Sequence, residues 1–62
     1  MTKEEWLIAL INGVKGKQGI NGNNTYWYSE GTFYSSFNNS TTHNTVDVNY
    51  IMPDRNFIII GE

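Results

Sequence analysis

The sequence predicts a mainly β fold with one short N-terminal helix. Three observations predict it. A capped apolar stretch fills residues 1–12, glycine recurs at every third position over residues 13–24, and aromatic and β-branched runs broken by turn signals occupy residues 25–62. With 62 residues the chain makes one domain at most, and a small one. It has no cysteine, so neither disulfides nor a cysteine zinc site can substitute for a core. Association with other chains is the remaining route to stability for so short a sequence.

The helix carries its own start signals. Thr2 stands at the N-cap with Glu5 three positions later, the spacing of a capping box, and Met1 can close a staple on Trp6. Glu4 and Glu5 complement the positive end of the helix dipole. Asn12-Gly13 marks the exit. Leu7, Leu10 and Ile11 form one stripe, with Trp6 beside it and Ile8 and Ala9 off it, so the helix is apolar nearly all round. Two burial partners stand open: the chain's own C-terminal sheet, or copies of the same helix.

Gly13, Gly16, Gly19 and Gly22 fall in one register of three. Such spacing suits a collagen-like neck, in which three extended chains meet at an axis that admits only glycine. Glycine at that period is costly in a helix or a strand. The alternative is a flexible Gly/Asn linker.

The run Glu4-Glu5-Trp6-Leu7, with Leu10 and then Gly13, Lys15-Gly16-Lys17, Gly19 and Gly22, resembles a junction in bacteriophage tail-fibre and related virion fibre proteins. There an "EEWL" helix leads into a Gly-X-Y segment. The likeness covers residues 4–22. It implies a homotrimeric virion appendage: an N-terminal helix (1–12), a collagen-like neck (13–24) and a β-rich head or trimerisation region (25–62). On that reading Trp6, Leu7, Leu10, Ile11, Ile58, Ile59 and Ile60 form the trimer core. The partners are two further copies of the chain, other virion proteins, and a host-surface glycan or protein. The location is the virion.

Beyond the neck, residues 25–29 and 32–35 are β-prone runs separated by Glu30-Gly31, which predicts a tight hairpin. Residues 38–45 are a polar loop. Val46, Val48, Tyr50 and Met52 alternate with Asp47, Asn49 and Ile51, predicting a half-buried strand, and Pro53-Asp54-Arg55-Asn56 supplies a turn. The apolar run Phe57–Ile60 predicts a strand covered on both faces.

Charge and composition narrow the function. A net charge of −2 with four Lys and Arg residues offers no basic stripe for nucleic acid. No apolar window is long enough to insert in a membrane, and Glu4 and Glu5 break the pattern of a secretory leader. No metal site or cofactor is expected. His43 reads as an exposed loop residue, with a threefold metal site as the alternative. Glu30 and Asp47 have no spacing that supports acid–base work, and no catalytic residues are assigned. Alternation puts Tyr26 and Tyr28 on one sheet face and Trp27 on the other. Tyr26, Trp27, Tyr28 and Tyr34 are therefore either trimer core or a candidate ligand surface. The sequence thus predicts a structural virion protein without enzymatic activity. The alternative is a small glycan- or protein-binding module, either adhesin-like or a regulator that docks on a host target.

Overall fold

The computed structural model describes residues 1–13, 16–38, 40–51 and 56–61. Helix α1 (Lys3–Gly13) begins as its sequence dictates. The Thr2 backbone N–H donates to Glu5 Oε1 at 2.9 Å and the Glu5 N–H donates to Thr2 Oγ1 at 3.2 Å, a complete capping box. Met1 stays exposed, while Trp6 turns into the protein and is fully buried.

Five strands form one antiparallel sheet among the described residues: β1 (Lys17–Asn21), β2 (Asn24–Ser29), β3 (Thr32–Phe37), β4 (Asn44–Thr45) and β5 (Phe57–Gly61), in the order β4-β3-β2-β1-β5. The mainly β class with one N-terminal helix is as the composition predicts. The hairpin at Glu30-Gly31 is also present, with Ser29 opposite Thr32 and positive φ at both turn residues (50° and 81°). That is the signature of a primed two-residue turn, whose twist matches the strands it joins.

The segment expected to be a collagen-like neck is instead part of this sheet. Gly13 is the last residue of α1, and Gly19 lies within β1, hydrogen-bonded between β2 and β5. A strand with two neighbours satisfies its N–H and C=O groups in the ladder, whereas a triple-helical neck needs a bare, left-handed extended chain. Gly19 has a local reason of its own. A Cβ there would collide with the Trp6 indole, so the missing side chain lets the ring lie directly on β1. Gly22 (φ 66°) opens the two-residue β1–β2 turn. The threefold rhythm thus combines a helix end, a ring contact and a turn, with Gly16 just ahead of β1. Val14 and Lys15, within the same stretch, lie outside the described residues.

The core is built around Trp6. Its ring meets Tyr26 edge-on at 5.4 Å and Phe57 at 5.0 Å, and its indole N–H donates to the Ile58 carbonyl oxygen at 3.0 Å. Leu10, one helical turn on, is fully buried beside it. Burying Trp6 contributes about 5 kcal/mol and Leu10 about 2 kcal/mol, at ~25 cal/mol per Å². The helix therefore packs on its own sheet, with Leu7 partly buried against the core and Ile11 exposed. Trp6 and Leu10 are occupied within one chain, which leaves neither free for the trimer core expected of them.

The predicted strand over residues 46–52 does not form over its described part. The Val46 N–H donates to the Phe33 carbonyl at 3.0 Å, after which the Asp47 carboxylate accepts from the Asn49 N–H at 2.9 Å and bends the chain into a 3₁₀ helix, Val48–Tyr50. An aspartate that captures a nearby backbone N–H competes with a ladder. Residues 46–51 instead lead away from the β4 edge, packing Val46, Val48 and the fully buried Ile51 onto the helix-side core on the way to β5. Met52 and the turn residues Pro53, Asp54 and Arg55 lie outside the described residues. β5 is an edge strand, not the doubly covered strand its apolar run predicts: Ile58 is 50% exposed and Ile60 42%.

Candidate functional site

The two faces of the sheet are treated differently. Cross-strand register puts Gly19, Tyr26, Tyr28, Phe33, Phe57 and Ile59 on the face that α1 and the segment after β4 cover. Gln18, Ile20, Thr25, Trp27, Tyr34, Thr45, Ile58 and Ile60 share the other face, since successive strand residues point to opposite sides. Nothing among the described residues covers that second face except His43.

At its β2–β3 side the open face carries a three-ring cluster. Trp27 and Tyr34 are a cross-strand pair with near-parallel rings, 6.0 Å between centres and 18° apart. The His43 ring meets both, at 5.6 Å from Trp27 and 5.3 Å from Tyr34. On the β5 side lie Ile20, Ile58 and Ile60, with Ile20 paired directly to Ile58. The face thus has an aromatic end and an aliphatic end, joined across Gln18 and Thr25. It carries no charged side chain among the residues that register assigns to it.

Tyr26, Trp27, Tyr28 and Tyr34 consequently separate into two pairs. Tyr26 is a core residue against Trp6, and Tyr28 packs edge-on to Phe33 at 5.0 Å under the same cover. Burial pushes the Tyr26 hydroxyl above the ordinary tyrosine value, and a hydrogen bond with the Asn24 side chain partly opposes this. Only Trp27 and Tyr34 reach the open face, as alternation predicts for Trp27. Ile58 and Ile60 also lie there, whereas Ile59 turns back to the core. No pattern in the sequence marks His43 as a member of the cluster, because it lies in a polar loop whose path only the folded chain defines.

A concave feature sits on the covered side, at the β1–β2 turn. It is a hollow of about 350 Å³ between the Asn21–Asn24 turn and the rings of Tyr26, Phe37 and Tyr50. Phe37 is 62% exposed and Tyr50 80% exposed. Sequence reasoning misses this feature, because the Asn-Gly-Asn-Asn run belongs there to the expected neck.

The acidic residues of the described chain have local roles. Glu5 closes the capping box, and hydrogen bonds from the Thr2 backbone and hydroxyl hold its carboxyl below the usual value. Asp47 caps the 3₁₀ helix and Glu30 forms the β2–β3 turn. Comparison of the chain with family models, curated proteins and solved structures finds no match. The fold is therefore described by its own topology: a five-stranded antiparallel sheet with one helix on one face.

Proposed function

We propose that this chain is a small, non-enzymatic structural component of a virion appendage, which assembles with copies of itself through the uncovered face of its sheet. The observation that carries the assembly is the uneven cover. One face is packed under α1, while the other holds Ile20, Trp27 and Tyr34, partly exposed, and Ile58 and Ile60, exposed, with only His43 over it among the described residues. So small a domain has little internal burial to spare, and covering this face adds apolar area that the lone chain lacks. The exposed strand β5 adds an edge available for pairing. The virion setting and the threefold stoichiometry rest on the likeness of residues 4–22, the Glu4-Glu5-Trp6-Leu7 helix with the glycine run after it, to fibre junctions. A symmetric assembly of this kind presents several copies of one surface, which raises avidity without any new contact.

Sedimentation equilibrium tests the reading. Three chains of 7.1 kDa give about 21 kDa, and Ile60→Lys reduces that mass to the monomer's by placing a charge in the interface. A mass near 14 kDa retains the face and replaces the stoichiometry. A wild-type mass near 7 kDa across the micromolar range overturns the proposal.

A further inference from the structure

We propose that the hollow at the β1–β2 turn binds a neutral polyhydroxylated ligand, a pyranose sugar, held by the asparagine amides of the turn and by the exposed rings of Phe37 and Tyr50. This goes beyond the assembly role, and it uses the opposite side of the sheet.

Size and lining make the first argument. At about 350 Å³ the hollow falls within the range of small-molecule sites. None of its described lining residues is Lys, Arg, Asp, Glu or His. A charged ligand would leave water there without a described counter-charge, whereas a neutral polar one meets Asn23 and Asn24. Each primary amide offers donors and an acceptor on adjacent atoms, and each sugar hydroxyl is both donor and acceptor, so neighbouring hydroxyls find matched partners.

The rings make the second argument. Phe37 and Tyr50 are large apolar surfaces held in water beside a row of amides, an arrangement that suits a ligand with one apolar face and a polar rim. A pyranose ring has that shape, with C–H groups on its faces and hydroxyls around its edge. Backbone hydrogen bonds hold the main chain that carries both rings. Phe37 pairs with Asn24 across β2 and β3, and the next residue is tied back to the turn by Asn38 N–H to the Asn23 carbonyl at 2.8 Å. Tyr50 lies on the 3₁₀ helix, where its N–H donates to the Asp47 carbonyl at 2.9 Å. Nothing lies within 4 Å of where a Gly22 Cβ would stand, so the mouth is open above the turn. Little main-chain ordering is left for the ligand to impose.

The test is a titration of ¹⁵N-labelled protein, followed by amide NMR, with methyl β-D-glucopyranoside, methyl β-D-galactopyranoside and N-acetylglucosamine. At least one should give saturable shifts centred on the Asn23 and Asn24 side-chain amides and the Gly22 N–H, with a dissociation constant on the order of 1 mM. Tyr50→Ala and Asn23→Ala remove exposed side chains and should each weaken binding about threefold to tenfold. Ile60→Lys, on the opposite face, should leave the affinity unchanged even where it abolishes assembly, which separates this site from the assembly surface. The proposal is overturned if none of the three sugars gives saturable shifts, if Tyr50→Ala binds as the wild type does, or if adenosine shifts the same amides equally well.

Discussion

Two residues show how little side-chain material this protein uses. Gly19 is needed because of what lies on it: the Trp6 indole occupies the space where a Cβ would be. Gly19→Ala should cost more than about 2 kcal/mol, since neither a strand paired on both sides nor a fully buried ring can shift cheaply. A denaturant melt followed by tryptophan fluorescence checks this, and pairing the change with Trp6→Leu should recover part of the loss. A melt unaltered by Gly19→Ala would remove Trp6 from the face of β1. Glu5 sets the acid limit of the helix start. Its folded-state pKa is below the ordinary value because Thr2 donates to its carboxylate, so the stabilisation is present above the ordinary glutamate pKa. It is lost as pH falls through the lowered folded value. Circular dichroism should show helix content falling in that acid window for the wild type, with the window absent in Glu5→Gln.

At the scale of elements, turns and caps decide where strands begin and end. The β2–β3 turn places Glu30 in the left-handed region, where an ordinary side chain costs about 1 kcal/mol and asparagine costs less. Glu30→Asn should therefore raise stability by about 0.5–1 kcal/mol without altering the sheet, read as a shift in the midpoint of urea unfolding. An unchanged or lowered midpoint would argue against positive φ at that position. Asp47 acts in the opposite sense on residues 46–51. By taking the Asn49 N–H it ends pairing beyond β4 and sends Ile51 into the core, so an alternating sequence does not become a strand.

Across the whole molecule, the strand order explains both surfaces. β5 returns to pair with β1 rather than with its neighbour in sequence, which makes β1 an interior strand and leaves Ile58 and Ile60 on an edge strand, half exposed. Helix α1 is 11 residues long and covers one face only. Mass measurement and Ile60→Lys probe the bare face, while sugar titration and Tyr50→Ala probe the hollow on the other. The two surfaces share no residue, and either reading can fail without the other.

Interactions within about four residues are legible in the sequence. The Thr2–Glu5 capping box, the extent of the helix, the opposite facing of Tyr26 and Trp27, and the Glu30-Gly31 hairpin all follow from neighbouring residues and local geometry. Only the tertiary structure decides what the glycines accommodate, which strand stands at the edge and how His43, Phe37 and Tyr50 reach their neighbours. The reason is distance along the chain. Ile20 pairs with Ile58, and Trp6 donates to a carbonyl 52 residues away. A glycine declares that space is needed without declaring what fills it; at position 19 the occupant is an indole from the helix rather than a second and third chain.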